Sequence, residues 1–98
     1  MSLEEITKAV TEKVGADSGL GASVKFAFED DTVVHVDATK VPNEVTNEDK
    51  DAECTMRMSM EDFQKVMDGE LDPTMAYMTG KLKIEGNMGI AMKISSVL

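Results

Sequence analysis

The hydrophobic and polar positions of this chain predict helices and strands in turn, beginning with a helix. Its apolar residues are three and four apart, the spacing that places side chains on one helix face: Leu3, Ile6, Val10 and Val14. Ser2 is the predicted N-cap, with Glu5 at the capping-box position three residues later, and Gly15 ends the helix. The opposite face is mixed in charge, so the stripe predicts core packing rather than a membrane anchor.

After a predicted loop over residues 16–21, the period changes to two, which is typical of strands. Residues 22–28 and 32–38 alternate on either side of Asp30 and Asp31, and they predict a β-hairpin. Residues 41–50 break the alternation and are interpreted as an exposed connection. Residues 52–58 predict a third strand, with Cys54 and Met56 on its inward face.

The second half of the chain predicts two helices, a strand and a last helix. Ser59 caps the first of these helices and Gly69 ends it, and Pro73 begins a second, shorter one. Residues 81–85 predict a strand with a glycine at each end, and Asn87 is the predicted cap of the final helix. That helix is apolar around most of its circumference, so we expect it to face either a partner or an apolar cavity.

Composition and charge limit the possible functions. Ninety-eight residues make one small domain, and a net charge of −9 disfavours nucleic acid and leaves at most transient contact with anionic membranes. One cysteine excludes an internal disulfide, and we see neither a signal peptide nor a stretch long enough to span a membrane. We therefore expect a cytoplasmic protein.

Methionine is the unusual feature of the composition. Eight of the nine methionines lie between Met56 and Met92, whereas the chain has only three Phe, one Tyr and no Trp. Because methionine is flexible and polarizable, such an interior adapts to ligands of different shape. Methionine used as ordinary core filler is the alternative.

The residues that could carry chemistry do not form a convincing site. His35 lies at an outward position of its strand and is interpreted as a surface histidine, and Cys54 as a buried apolar side chain. The acids of residues 44–53 lack the glycine of a calcium-binding loop. We therefore predict no catalytic residue, no metal site and no cofactor.

Two segments resemble a known family. Residues 59–73 contain Ser-Met-Glu-Asp-Phe and then Gly-Glu-Leu-Asp-Pro, and residues 80–87 read Gly-Lys-Leu-Lys-Ile-Glu-Gly-Asn. Together with the order of elements, they resemble the sterol carrier protein 2 family of non-specific lipid-transfer proteins. The resemblance implies an α+β fold, in which helices cover one face of a five-stranded, mostly antiparallel sheet. It also implies an apolar tunnel for fatty acids, fatty acyl-CoA, sterols or phospholipids.

Peroxisomal members of this family end in a targeting signal similar to Ser-Lys-Leu. This chain ends without the basic residue of that signal.

We therefore expect residues 1–98 to form a single non-catalytic domain that binds lipid, with intracellular transfer of that lipid as a further function left open. The alternative is an interaction module or homodimer with a filled core, which docks through its apolar last helix. The residues expected to line the lipid cavity are Phe26, Phe28, Phe63, Met67, Met75, Met78, Ile84, Met88 and Met92.

Overall fold

A computed structural model describes residues 2–15, 19, 21–40 and 43–97, with the backbone alone for Val97. The predicted loop over residues 16–21 and the start of the predicted connection at 41–42 lie largely outside these residues. The elements in chain order are α1 (Leu3–Val14), β1 (Ser23–Ala27), β2 (Val33–Asp37), β3 (Glu44–Thr46), β4 (Cys54–Arg57), α2 (Met60–Met67), α3 (Pro73–Met78), β5 (Lys83–Gly86) and α4 (Met88–Val97).

The helix N-termini form where the capping residues predict them. The Ser2 and Ser59 hydroxyls accept hydrogen bonds from the amides three residues later, at 3.2 and 3.1 Å. The Asp72 carboxylate accepts from the Thr74 amide at 2.8 Å. The side chain of Asn87 accepts from the Gly89 amide at 2.9 Å. Each cap satisfies an amide that the first helical turn leaves without a partner.

The five strands form one sheet in the order β3-β2-β1-β4-β5, and only β1 and β4 are parallel. The α+β class and the mostly antiparallel sheet are therefore confirmed. Side chains of one sheet face, with those of α1, α2 and α4 and with Ala76 of α3, form the core. Cys54 belongs to this core as predicted, and burial raises the pKa of its thiol.

The connection predicted for residues 41–50 contains a strand, so that prediction is wrong in part. β3 is only three residues long and pairs with the outer side of β2, where Val45 lies opposite Val36. Three residues hold one inward side chain, which is too few to show alternation. This edge strand is the fifth strand that the family resemblance implied and the alternation missed.

The interpretation of His35 as a surface histidine is also wrong. Its side chain does point away from the core, but the residue is only 4% exposed. Its Nε2 lies 3.0 Å from the carbonyl oxygen of Asp51. The acidic segment 47–51 folds back over this sheet face, held by an ion pair of 2.7 Å between Lys25 Nζ and Asp49 Oδ1. Alternation identifies the face of a residue, but it does not show what covers that face.

Candidate functional site

An apolar groove lies between α3, β5 and α4. Its volume is about 120 Å³. The residues that line it are Pro73, Thr74, Tyr77, Leu82, Ile84, Met88, Met92 and Ser95.

The turn after α3 brings the chain back beneath the helix. The amide of Gly80 donates to the Tyr77 carbonyl, and the amides of Lys81 and Leu82 both donate to the Ala76 carbonyl. Gly80 has a φ of 81°, so this is a Schellman helix end with glycine in the left-handed conformation. These bonds delay the start of β5 to Lys83, two residues later than predicted, and they place Leu82 at the floor of the groove.

The turn between β5 and α4 sets the other wall of the groove. Gly86 has a φ of 93° and packs so closely that a Cβ there would lie 2.4 Å from the Glu53 carbonyl oxygen. The Asn87 cap then starts α4, which turns Met88 and Met92 toward the groove. Two residues of the same helix, Ile90 and Ile94, are buried in the core.

Large apolar side chains around the groove are exposed to solvent. Met88 and Met92, which line it, are 42% and 57% exposed, and Met78 is 73% exposed. Met75 and Tyr77 on α3 are also exposed. Exposed apolar side chains that share one groove, as Tyr77, Met88 and Met92 do, mark a site for a ligand or a partner.

The structure brings together three of the nine residues expected to line a lipid cavity, namely Ile84, Met88 and Met92. The three phenylalanines pack on one another in the core instead. The Phe63 ring centroid lies 4.9 Å from that of Phe26 and 5.4 Å from that of Phe28. The first pair is tilted and the second is edge-to-face, and such ring contacts stabilise a filled core.

The other three expected residues lie outside the groove lining. Met67 on α2 is partly buried against the core, and Met75 and Met78 are exposed on α3. Five residues that line the groove are absent from the list: Pro73, Thr74, Tyr77, Leu82 and Ser95. Spacing could have pointed to three of them: Pro73 and Tyr77 are four apart on α3, and Ser95 is three residues after Met92 on α4.

The groove is smaller than the roughly 300–1,000 Å³ of typical ligand pockets. Among the described residues, large side chains such as Phe26, Phe63 and Ile94 fill the space between sheet and helices. The tunnel that the resemblance implies therefore stays a prediction, and the groove is an apolar cavity that the described residues form on the surface.

Acid–base chemistry has little basis in this groove. Among the described residues, Tyr77 is the one lining residue whose side chain carries an acidic or basic group. In the described part of the chain, no cluster of His, Cys, Asp and Glu could hold a metal ion. None of the helices described is long and apolar enough to cross a membrane.

Comparison with known proteins identifies the family of this chain. The model of the SCP-2 sterol transfer family matches residues 3–98. The chain belongs to this family. Over 51 residues, 52% of the chain, it is 49% identical to human Sterol carrier protein 2, but this match covers only 9% of that protein.

Solved structures agree with the family assignment. The sterol carrier protein domain 2 of Helicoverpa armigera superposes with a TM-score of 0.78 at 26% identity, covering 95% of this chain and 82% of that one. Palmitated SCP2L2 of Aedes aegypti gives 0.71 at 20% identity, covering 99% and 94%. Family and fold together indicate lipid binding or transfer as the function of the domain.

Proposed function

We propose that this domain carries lipids without chemical change, holding an acyl chain or sterol body in the groove between α3, β5 and α4. Fatty acids, fatty acyl-CoA, sterols and phospholipids are the candidate ligands. The observation that carries the proposal is the groove itself, with its apolar floor of Leu82 and Ile84 and its methionine wall. The relative of Aedes aegypti that was solved in palmitated form supports it.

Burial of the hydrocarbon supplies the affinity. Each methylene removed from water contributes about 0.8 kcal/mol, so ten contribute roughly 8 kcal/mol before the entropy of binding is subtracted. The groove must widen to hold a whole acyl chain. Met88 and Met92 suit this role because an unbranched thioether side chain adopts many rotamers and its movement disturbs little else. The six-residue α3 is anchored chiefly by the buried Ala76, so its outer side is able to shift.

The alternative is an interaction module or homodimer that docks through α4. The exposed apolar residues of α3 and α4 favour this second function, because a protein partner would cover them as well as a lipid would.

Extraction and sizing separate the two functions. Protein purified under native conditions is extracted with organic solvent, and the extract is analysed by mass spectrometry. Stoichiometric lipid, with displacement of a fluorescent fatty acid by unlabelled palmitate, is the result expected of a carrier. A clean extract, no fluorescent binding and a dimer on size-exclusion chromatography would support the module instead.

Substitution of two exposed methionines tests the location of the ligand. Met92→Lys places a charge in the groove wall, and we expect palmitate affinity to fall by at least about tenfold, since an unpaired charge against hydrocarbon is unfavourable. Met78→Lys makes the same change outside the groove lining and should alter the affinity by less than about twofold. Fluorescence displacement measures both.

Both side chains are exposed, so we expect both variants to fold, and circular dichroism checks this. Unchanged affinity in folded Met92→Lys would remove the groove as the site. Equal losses in the two variants would mean that the ligand covers α3 beyond the groove.

A further inference from the structure

The side chains of the β5 segment alternate between two different surfaces. Leu82 and Ile84 point into the apolar groove. Lys81 and Lys83 line a separate depression of about 310 Å³ on the other side of the strand, together with Arg57 of β4. We call this second surface the cationic depression, lined by Ala27, Phe28, Glu29, Arg57, Met58, Gly80, Lys81 and Lys83.

The depression concentrates positive charge in a protein whose net charge is −9. Three cationic residues line it, against one carboxylate. That carboxylate, Glu29, already accepts a hydrogen bond from the Met60 amide at 3.0 Å. Within the described residues, neither Lys81 nor Lys83 forms a salt bridge, although the acidic surface offers many partners.

Arg57 also retains binding capacity. Its Nε donates to a carboxylate oxygen of Glu85 on the neighbouring strand. This bond occupies one edge of the guanidinium and fixes its orientation, so the Nη donors stay available to a second anion. Glu85 balances part of the charge of Arg57. Lys83, which lies opposite Arg57 in the strand register, and Lys81 add two ammonium groups to the same depression. Charged donors of this kind bind phosphate.

We propose that the cationic depression binds a phosphate group. A phosphate monoester carries up to two negative charges and three acceptor oxygens, which matches three cationic donors better than a single carboxylate does. β5 lies at the edge of the sheet, so within the described part of the chain no further strand separates the depression from the groove. A lipid whose chain occupies the groove therefore reaches the depression with a phosphorylated headgroup by passing the β5 edge. This last step rests on the proposed function, whereas the phosphate site does not.

The first experiment uses inorganic phosphate and no lipid. The full chain, labelled with ¹⁵N, is titrated with phosphate at constant ionic strength, and the signals of Lys81, Lys83 and the Arg57 side chain are followed. We expect saturable shifts at these residues that Lys81→Gln/Lys83→Gln abolishes. The matched control, Lys8→Gln/Lys13→Gln, makes the same change in net charge at exposed lysines of α1 and should keep the shifts.

The second experiment compares palmitate with palmitoyl-CoA, which adds phosphates to the same chain. In Lys81→Gln/Lys83→Gln we expect palmitoyl-CoA affinity to fall by about tenfold. Each exposed ion pair between a lysine and a phosphate changes the affinity by up to about fivefold, and this variant removes two of them. Palmitate affinity should stay within about twofold, because the groove is unchanged. The α1 control variant should bind both ligands like the parent protein.

The outcomes distinguish the source of the phosphate. Phosphate shifts with no selective loss of palmitoyl-CoA would assign the site to a soluble phosphate, and selective loss of palmitoyl-CoA would assign it to a lipid headgroup. Absence of saturable phosphate shifts and of any selective loss would overturn the proposal. If palmitate itself fails to bind, the carrier function fails, and the phosphate titration still decides the depression.

Discussion

At the scale of single residues, two turns of the sheet repeat one arrangement. Asp30 accepts hydrogen bonds from the amide and hydroxyl of Thr32, and Asp37 does the same with Thr39. In both turns the threonine hydroxyl is the main reason that the pKa of the aspartate is lowered. Such bonds favour the ionised carboxylate, which connects the stability of the turns to pH.

Removal of one hydroxyl tests this connection. In Thr39→Val we expect the pKa of Asp37 to rise toward its ordinary value of 3.8, because the charged form loses its principal donor. A lowered folded-state pKa contributes stability that is present above the unfolded pKa and is lost as the pH falls through the folded one. The variant should therefore be less stable than the parent near pH 7, with a smaller difference at strongly acidic pH.

NMR titration of the carboxyl carbons measures the pKa directly, and urea unfolding at several pH values measures the stability. Thr32→Val is the matched control, since it should move the pKa of Asp30 and leave that of Asp37 unchanged. A pKa for Asp37 that stays low in Thr39→Val would assign the shift to the backbone amide or to Lys40 instead.

Single residues also show what sequence patterns cannot predict. Alternation correctly placed His35 on the outer face and Cys54 on the inner one. It did not reveal that segment 47–51 covers His35, because that contact joins residues sixteen apart through a side chain and a carbonyl oxygen. Apolar character alone likewise did not separate Phe63, which fills the core, from Met92, which lines the groove.

At the scale of elements, the junction of β5 and α4 depends on one close approach. Gly86 lies against the Glu53 carbonyl, next to the point where the Asn87 amide donates to the same oxygen at 3.0 Å. A side chain at Gly86 would push this junction away from β4, and α4 would no longer be held over the groove.

Gly86→Ala should therefore lower the free energy of unfolding by about 3 kcal/mol or more, through backbone strain and the steric clash together. Gly80→Ala is the control, because Gly80 also has a positive φ but has open space around it. That variant should lose only the conformational part, about 1 kcal/mol. Urea denaturation of both proteins measures the difference. Equal losses would show that the contact with Glu53 contributes nothing.

Most elements could be predicted from the sequence because residues at or next to their ends determine where they begin and end. Ser2, Ser59, Asp72 and Asn87 cap helices, and Gly80 ends one, all through contacts within a few residues. β3 could not be predicted, since its three residues become a strand only by pairing with β2. The family resemblance supplied that strand without giving its position.

At the scale of the whole molecule, the sheet separates two chemically different surfaces near β5. One is the apolar groove under α3 and α4, and the other is the cationic depression beside Arg57. The sequence predicted the alternation of β5 but not the second surface, because Arg57 joins Lys81 and Lys83 only after β4 and β5 pair. A site made of two strands that are distant in the chain has no local signature.

Parallel pairing of β1 with β4 also predicts an order of folding. The β1–β2 hairpin closes through a short turn, whereas Val24 and Cys54 are thirty residues apart and must meet at a larger entropic cost. We expect pulsed hydrogen exchange to show the hairpin amides protected before those of β4 and β5. Simultaneous protection of all strands would contradict this order.

Because β5 pairs only with β4, the groove has no floor until that late step is complete. A bound lipid should therefore slow the unfolding of the domain while leaving its refolding rate almost unchanged. Bound lipid would therefore increase the kinetic stability of the folded domain without assisting its folding.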